Sequence, residues 1–168
     1  WVKAMSLERL HDYITSRQRL LIITGAGVST GSGIPDYRDK NGDWKRKQPM
    51  YYQEFVGDEL ARKRYWARSM QGWPVFSAAQ PNNVHAALAE IEQHLGVIGL
   101  ITQNVDRLHQ AAGSQLVIDL HGRLDQVKCL SCGAVQQRSD FQRRLEAENP
   151  AWRALDATIA PDGDADLE

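Results

Sequence analysis

The sequence predicts an α/β fold with a parallel sheet wound by helical crossovers, and three observations carry that expectation. Short apolar runs at residues 20–24, 97–101 and 116–120 alternate with longer segments of helical periodicity. The first run empties into glycine-rich chain, Gly25-Ala26-Gly27-Val28-Ser29-Thr30-Gly31-Ser32-Gly33. A buried strand followed by such a turn is how α/β proteins bring backbone N–H groups against a phosphate. The second and third runs each end in polar side chains, Gln103-Asn104-Val105-Asp106 and His121, where open α/β sheets place ligands.

Taken in order, Leu7, Leu10, His11 and Ile14 recur at helical spacing behind Ser6, a suitable N-cap, so the chain opens on an amphipathic helix whose apolar face needs a sheet. Residues 20–24 form the first strand. Residues 39–53 are polar and aromatic, broken by Gly42 and Pro49, and read as a mobile loop. Residues 58–70 form a helix, and so do residues 82–95, through Ala86, Ala87, Leu88, Ile91 and Leu95. The strands at 97–101 and 116–120 follow. Beyond Leu124 the texture changes to a Cys-x-x-Cys, a charged helix over about 140–148, Pro150 and an acidic Gly/Pro tail. That change divides the chain into a sheet domain over residues 1–124 and a small module over 125–168. No internal repeat occurs.

With 168 residues, 42% of them hydrophobic, the chain can bury the core of one domain or of one domain and part of another. Twenty basic and 21 acidic residues leave a net charge of -1, so bulk electrostatics do not favour nucleic acid as a partner. No apolar run approaches the roughly 18 residues of a membrane span, and no targeting segment is visible. The chain is therefore expected to be soluble, with no membrane partner. The two cysteines share one Cys-x-x-Cys, which fits a reducing compartment better than a disulfide-stapled one. Trp1 in place of Met suggests trimmed or missing residues upstream.

The glycine-rich turn fails the strict G-x-G-x-x-G pattern, because Thr30 stands at the third position and Gly31 one residue late. It also lacks the acidic residue that an ordinary dinucleotide dehydrogenase carries at the end of its second strand. A turn that only reverses the chain is the alternative. Its continuation, Ile34-Pro35-Asp36-Tyr37-Arg38, sets a fixed-φ proline before an Asp-x-Arg pair able to orient a loop over a ligand, with Arg38 able to face phosphate or ribose oxygens. Gln103, Asn104 and Asp106 offer donors and acceptors suited to a carboxamide and a ribose rather than to a metal; helix capping is the bland reading of Asn104 or Asp106.

Among five histidines, His121 holds a strand's C-terminal end, where an imidazole can act as general base near neutral pH. His11 and His94 fall within helical patterns, His85 begins one, and His109 follows Asp106. Cys129-Leu130-Ser131-Cys132-Gly133 has the spacing of half a structural zinc site, and a redox dithiol is the alternative.

Together these blocks, in this order and at these separations, resemble the sirtuin family of NAD-dependent protein deacylases. The stretches Arg64-Tyr65-Trp66-Ala67-Arg68, Gly72-Trp73-Pro74-Val75-Phe76-Ser77 and Ala160-Pro161-Asp162-Gly163-Asp164, with Tyr37 where most classes carry Phe, are similar to the class II sirtuins, the branch of the mitochondrial sirtuin four. The resemblance implies a Rossmann-like NAD-binding domain, here its N-terminal part, and a small zinc-knuckle module that is incomplete. Gly25, Ala26, Gly27 and Ser29 would hold the NAD phosphates. Ile34, Pro35, Asp36, Tyr37 and Arg38 would shape the loop over the nicotinamide end. Gln103, Asn104 and Asp106 would hold the ribose and carboxamide, Asn104 with a catalytic part, and His121 would be the general base. Cys129 and Cys132 would be two of four zinc ligands.

The implied activity is transfer of an acyl group from a protein or peptide lysine to ADP-ribose with release of nicotinamide, in a bacterial-type cytoplasm or the mitochondrial matrix. Mono-ADP-ribosyl transfer from the same pocket and a non-catalytic NAD or zinc module are the alternatives. Tyr65 and Arg68, one helical turn apart, resemble the pair that holds an acyl carboxylate in desuccinylating sirtuins, although a solvated basic face accounts for them equally. A complete sirtuin continues with a second Cys-x-x-Cys and further sheet, so the sequence looks like the first part of a longer one.

Overall fold

The computed structural model describes residues 6–37, 41–43, 45, 50–152, 158–159 and 165–166. Helix α1 (Leu7–Thr15) leads into strand β1 (Leu20–Thr24), and a short 3-10 helix, Ala26–Ser32, follows at once. Three helices come next, α2 (Tyr52–Gly57), α3 (Glu59–Ala78) and α4 (Asn83–His94). Strand β2 (Val97–Thr102), helix α5 (Leu108–Ala111) and strand β3 (Val117–Asp119) complete the sheet region. The hairpin β4 (Gln126–Lys128) and β5 (Val135–Gln137), helix α6 (Arg138–Glu148), a 3-10 turn at Pro150–Trp152 and the two-residue strands β6 (Thr158–Ile159) and β7 (Ala165–Asp166) follow.

The three sheet strands run parallel in the order β1-β2-β3. Their C-terminal ends are flush, since Thr24 pairs with Thr102 and Thr102 with Asp119. That alignment brings the three polar segments after the strands to one edge of the sheet. Gly96 makes the entry to β2 possible: a Cβ there would stand 2.0 Å from the Gln18 carbonyl oxygen, and its own carbonyl accepts from the Leu20 N–H at 2.8 Å. Leu100 is fully buried in the central strand, while Ile34, Phe76 and Leu108 form a core cluster beneath the loops. On the opposite face Leu21, Ile23 and Ile118 are exposed.

Helix α1 begins as expected, with Ser6 Oγ accepting from the Arg9 N–H at 3.3 Å. Its apolar face, however, does not pack on the sheet: Leu7, Leu10 and Tyr13 are exposed, and of the helix's side chains Ile14 alone turns partly inward. Helix α4 matches its predicted span, capped by Asn82, whose side chain accepts from the Val84 N–H at 2.9 Å. Helix α2 lies partly in the stretch expected as loop, whose Asp39 and Pro49 fall outside the described residues.

Helix α3 runs eight residues beyond its expected end at residue 70, through Pro74. Proline has no N–H to give the carbonyl four residues back. Here that carbonyl, Met70 O, accepts instead from Gln142 Nε2 of α6 at 2.8 Å. Beside it the buried Arg138 donates through Nη2 to Ser69 O and Oγ, both at 3.1 Å, and to Gln142 Oε1 through Nη1 at 2.8 Å. The guanidinium carbon lies 5.6 Å from the Trp66 ring and 4.9 Å from the Trp73 ring, within cation–π range. The helix continues because α6 supplies the missing donor. No helix among the described residues is long and apolar enough to cross a membrane.

Candidate active site

The glycine-rich turn leaves β1 as a 3-10 helix, and a Cβ built on Gly25 or Gly27 would meet nothing within 4 Å. Its near surface is therefore bare backbone, as approach to a phosphate requires. Ser29, 1% exposed, faces inward from this turn. It donates to Asp106 Oδ2 at 2.6 Å and accepts from Asn104 Nδ2 at 2.9 Å. The backbone N–H of Asn104 is held at 3.1 Å by Thr102 Oγ1. Asp106 serves two ends at once, its Oδ1 accepting from the Leu108 N–H at 2.9 Å, the first N–H of α5, from one residue ahead of the N-cap Arg107. The start of α5 and the Ser29 hydroxyl thus use different oxygens of one carboxylate.

Gln103 is exposed, and its carbonyl accepts from His121 Nδ1 at 3.1 Å. A carbonyl can only accept, so the proton sits on Nδ1 and Nε2 keeps its lone pair, the form a general base needs. His121 itself is exposed beside Gly122. Asp119, the last residue of β3, is fixed by an ion pair with Arg107 and by Gln110 Nε2 at 2.9 Å.

Of the loop residues, Ile34 turns into the core against Phe76 and Leu108, so it anchors the loop rather than lining a pocket. Pro35, Asp36 and Tyr37 are half-buried. Asp36 pairs with Lys45 at 2.5 Å, and that ammonium holds its carboxyl below the usual range. Arg38 lies outside the described residues. Tyr65 and Arg68 stand half-buried on α3, where the Tyr65 ring meets Phe55 edge-on with centroids 5.0 Å apart.

Cys129 and Cys132 are exposed free thiols in the turn between β4 and β5. The turn is tight: Gly133, at φ 74°, donates to Cys129 O at 3.0 Å, and the Cys129 N–H donates to Ala134 O at 2.9 Å. Backbone N–H groups of Cys132 and Ser131 point at the Cys129 sulfur and pull its pKa down. A knuckle that stabilises thiolate fits a zinc ligand pair. Among the described residues no group of three or more His, Cys, Asp or Glu side chains could hold a metal.

The Sir2 family model matches residues 25–162, which include every one of these site segments. The chain belongs to the Sir2 family. It is 58% identical over 167 residues to an NAD-dependent protein deacetylase of Xanthomonas axonopodis pv. citri, and 57% identical over 161 residues to NAD-dependent protein deacetylase 2 of Bradyrhizobium diazoefficiens. Those alignments take 99% and 96% of this chain but 57% and 59% of the relatives, so the Sir2 sequence here spans little more than half their length. A solved structure of a Sir2 protein with a p53 peptide and NAD+ superposes with a TM-score of 0.70 at 31% identity, covering 96% of this chain and 61% of that one.

Three features of this candidate site were missed by sequence reasoning. Thr24 and Thr102, aligned at the strand ends, share a hydrogen bond of 2.9 Å beneath the turn. His109 reaches Thr24 Oγ1 at 2.9 Å. Asn82 Nδ2 donates to Val28 O at 2.8 Å and Ser32 Oγ at 3.0 Å, securing the turn from outside. For the last a signal was present, since Asn82 and His85 occupy the cap and third positions of a capping box.

Proposed function

We propose that this chain carries the NAD-binding part of a protein lysine deacylase. The observation that carries the reading is the convergence, at flush strand ends, of a bare glycine-rich turn, the Ser29-Asn104-Asp106 triangle and an imidazole whose unprotonated nitrogen is Nε2. Gly25, Ala26, Gly27 and Ser29 would hold the phosphates through backbone N–H groups. Gln103, Asn104 and Asp106 would hold the ribose and carboxamide, and Ile34, Pro35, Asp36, Tyr37 and Arg38 would carry the covering loop. Bound NAD supplies an electrophilic anomeric carbon with nicotinamide as leaving group, and ADP-ribose ends as acceptor of the acyl group from lysine. His121 Nε2 takes the proton from a ribose hydroxyl, and the Gln103 carbonyl stabilises the resulting imidazolium through Nδ1–H. Asn104, buried and held at both its backbone and its side chain, orients the reacting groups and pays little entropy to do so.

The experiment is His121→Ala in the full-length protein, assayed for O-acyl-ADP-ribose and for NAD affinity. A general base contributes roughly 10²–10⁴ in rate and little to ground-state binding, so deacylation falls by that factor while affinity stays within a few-fold. Parent-like turnover overturns the role of His121. Protein-linked ADP-ribose without acyl-ADP-ribose identifies a mono-ADP-ribosyltransferase instead.

Cys129 and Cys132 would supply two of four zinc ligands, with two more from outside the described residues. A closed site of that kind staples the module and takes no part in catalysis. Elemental analysis of the full-length protein should find one zinc, lost with Cys129→Ser; no zinc and a reversible Cys129–Cys132 disulfide would make the pair redox-active. Division at about residue 124 and class II membership belong to the same reading, as does a reducing compartment such as a bacterial cytoplasm or mitochondrial matrix.

A further inference from the structure

We propose that His85 and His109 are positioning residues for the glycine-rich turn, a neutral ring pair that fixes the turn at both ends. His109, 1% exposed on α5, lies with Nε2 2.9 Å from Oγ1 of Thr24, the residue that enters the turn. The Thr24 hydroxyl donates to Thr102, so the hydrogen shared with His109 is the ring's own and Nδ1 is unprotonated. His85, fully buried on α4, accepts from the Asn82 N–H at Nδ1, 3.2 Å away, so its proton sits on Nε2. Asn82 in turn holds Val28 O and Ser32 Oγ. One histidine therefore secures the entry of the turn, and the other secures its far side through the residue it caps.

The rings meet, with centroids 4.9 Å apart at 60°. Their remaining nitrogens, Nε2 of His85 and Nδ1 of His109, are buried and make no hydrogen bond among the described residues. One carries a hydrogen and the other a lone pair. A second proton on His85 would face the Asn82 N–H donor to donor, and one on His109 would place charge against the neighbouring ring. Asp106 faces both rings and Asp119 faces His109, and each favours protonation; burial outweighs them, lowering the pKa of His85 and bringing that of His109 to about 4. The pair is neutral at physiological pH.

This inference rests on the turn being the NAD site, and the test separates the two. Ring 15N and 13C resonances of the full-length protein report tautomer and titration with no ligand present. Calorimetry with ADP-ribose then compares His109→Gln and His85→Asn, which keep the polar atom each ring uses, with His109→Phe and His85→Phe. Expected are an Nε2–H tautomer for both rings, no charging of His109 between about pH 5.5 and 7.5 and titration of His85 below the ordinary histidine value, ADP-ribose affinity within about threefold of the parent for Gln and Asn, and a loss of about tenfold or more for Phe. An Nδ1–H tautomer, a ring titrating near the ordinary histidine value, or Phe variants binding like the parent would overturn the pair's role. A parent that binds no ADP-ribose overturns the cofactor reading, whatever the rings report.

Discussion

Ser29 and Asp106 are 77 residues apart in the chain and meet through a hydroxyl-to-carboxylate hydrogen bond of 2.6 Å. The bond joins the turn after β1 to the loop after β2, and Asn104 closes the triangle by donating to the same hydroxyl. Replacing Ser29 by Ala leaves the Asn104 amide and one Asp106 oxygen short of a partner. Hydrogen bonds to charged groups contribute roughly 1.5–3 kcal/mol, so NAD affinity should drop about ten- to a hundredfold. Calorimetric titration of the full-length protein measures it; affinity equal to the parent's would mean that the triangle does not support the pocket.

Stability should depend on pH through His109. Unfolded, the ring titrates near its ordinary 6.5, and folded at about 4. Between those values the unfolded chain binds the extra proton, so stability rises with pH across the window and is lost as pH falls through it. From pH 7 to 5 the loss should be about 2 kcal/mol, with His85 adding in the same direction. Urea denaturation at the two pH values checks this, and a His109→Gln protein with an undiminished pH dependence would assign the loss to other groups.

Pro74 and Gln142 should be coupled. Gln142→Leu leaves the Met70 carbonyl without its donor, at a cost of about 1–3 kcal/mol. In a Pro74→Ala background the restored Ala N–H can reach that carbonyl, so the same substitution should cost less. A double-mutant cycle by denaturant unfolding reads the difference directly. Equal costs in both backgrounds would show that Gln142 does not replace the proline's missing bond.

Arg68 tests acyl choice. If Tyr65 and Arg68 line the acyl pocket, the guanidinium gives a carboxylated acyl-lysine roughly 1.5–3 kcal/mol over acetyl-lysine, about ten- to a hundredfold in kcat/KM. Arg68→Met should narrow that gap in the full-length protein. Equal efficiency on both substrates, unchanged by the substitution, would return the pair to an ordinary basic helix.

What the sequence disclosed depended on the range of the interactions involved. β1, β2 and α4 were legible because their apolar spacing is local. The position of Gln103, Asn104, Asp106 and His121 beyond the strands was legible because each follows closely on a short apolar run. The length of α3 was not, since Pro74 argues for a stop and the rescue comes from Gln142, 72 residues beyond the carbonyl it serves. Nor was His109 as the support of Thr24, a contact across 85 residues. The outward face of α1 defied its periodicity, which reports that one side is apolar without reporting what covers it.

The flush pairing of Thr24, Thr102 and Asp119 also sets an order of events during synthesis. Parallel neighbours cannot close as a hairpin, so β1 and its turn leave the ribosome long before either companion exists. Even the first pairing spans the whole stretch from Leu20 to Val97, and β3 must emerge before the third polar segment joins. Long-range closure of this kind is slow, because loop entropy is spent before any contact rewards it. In the proposed reading, a nucleotide would meet all three polar segments together only after that closure.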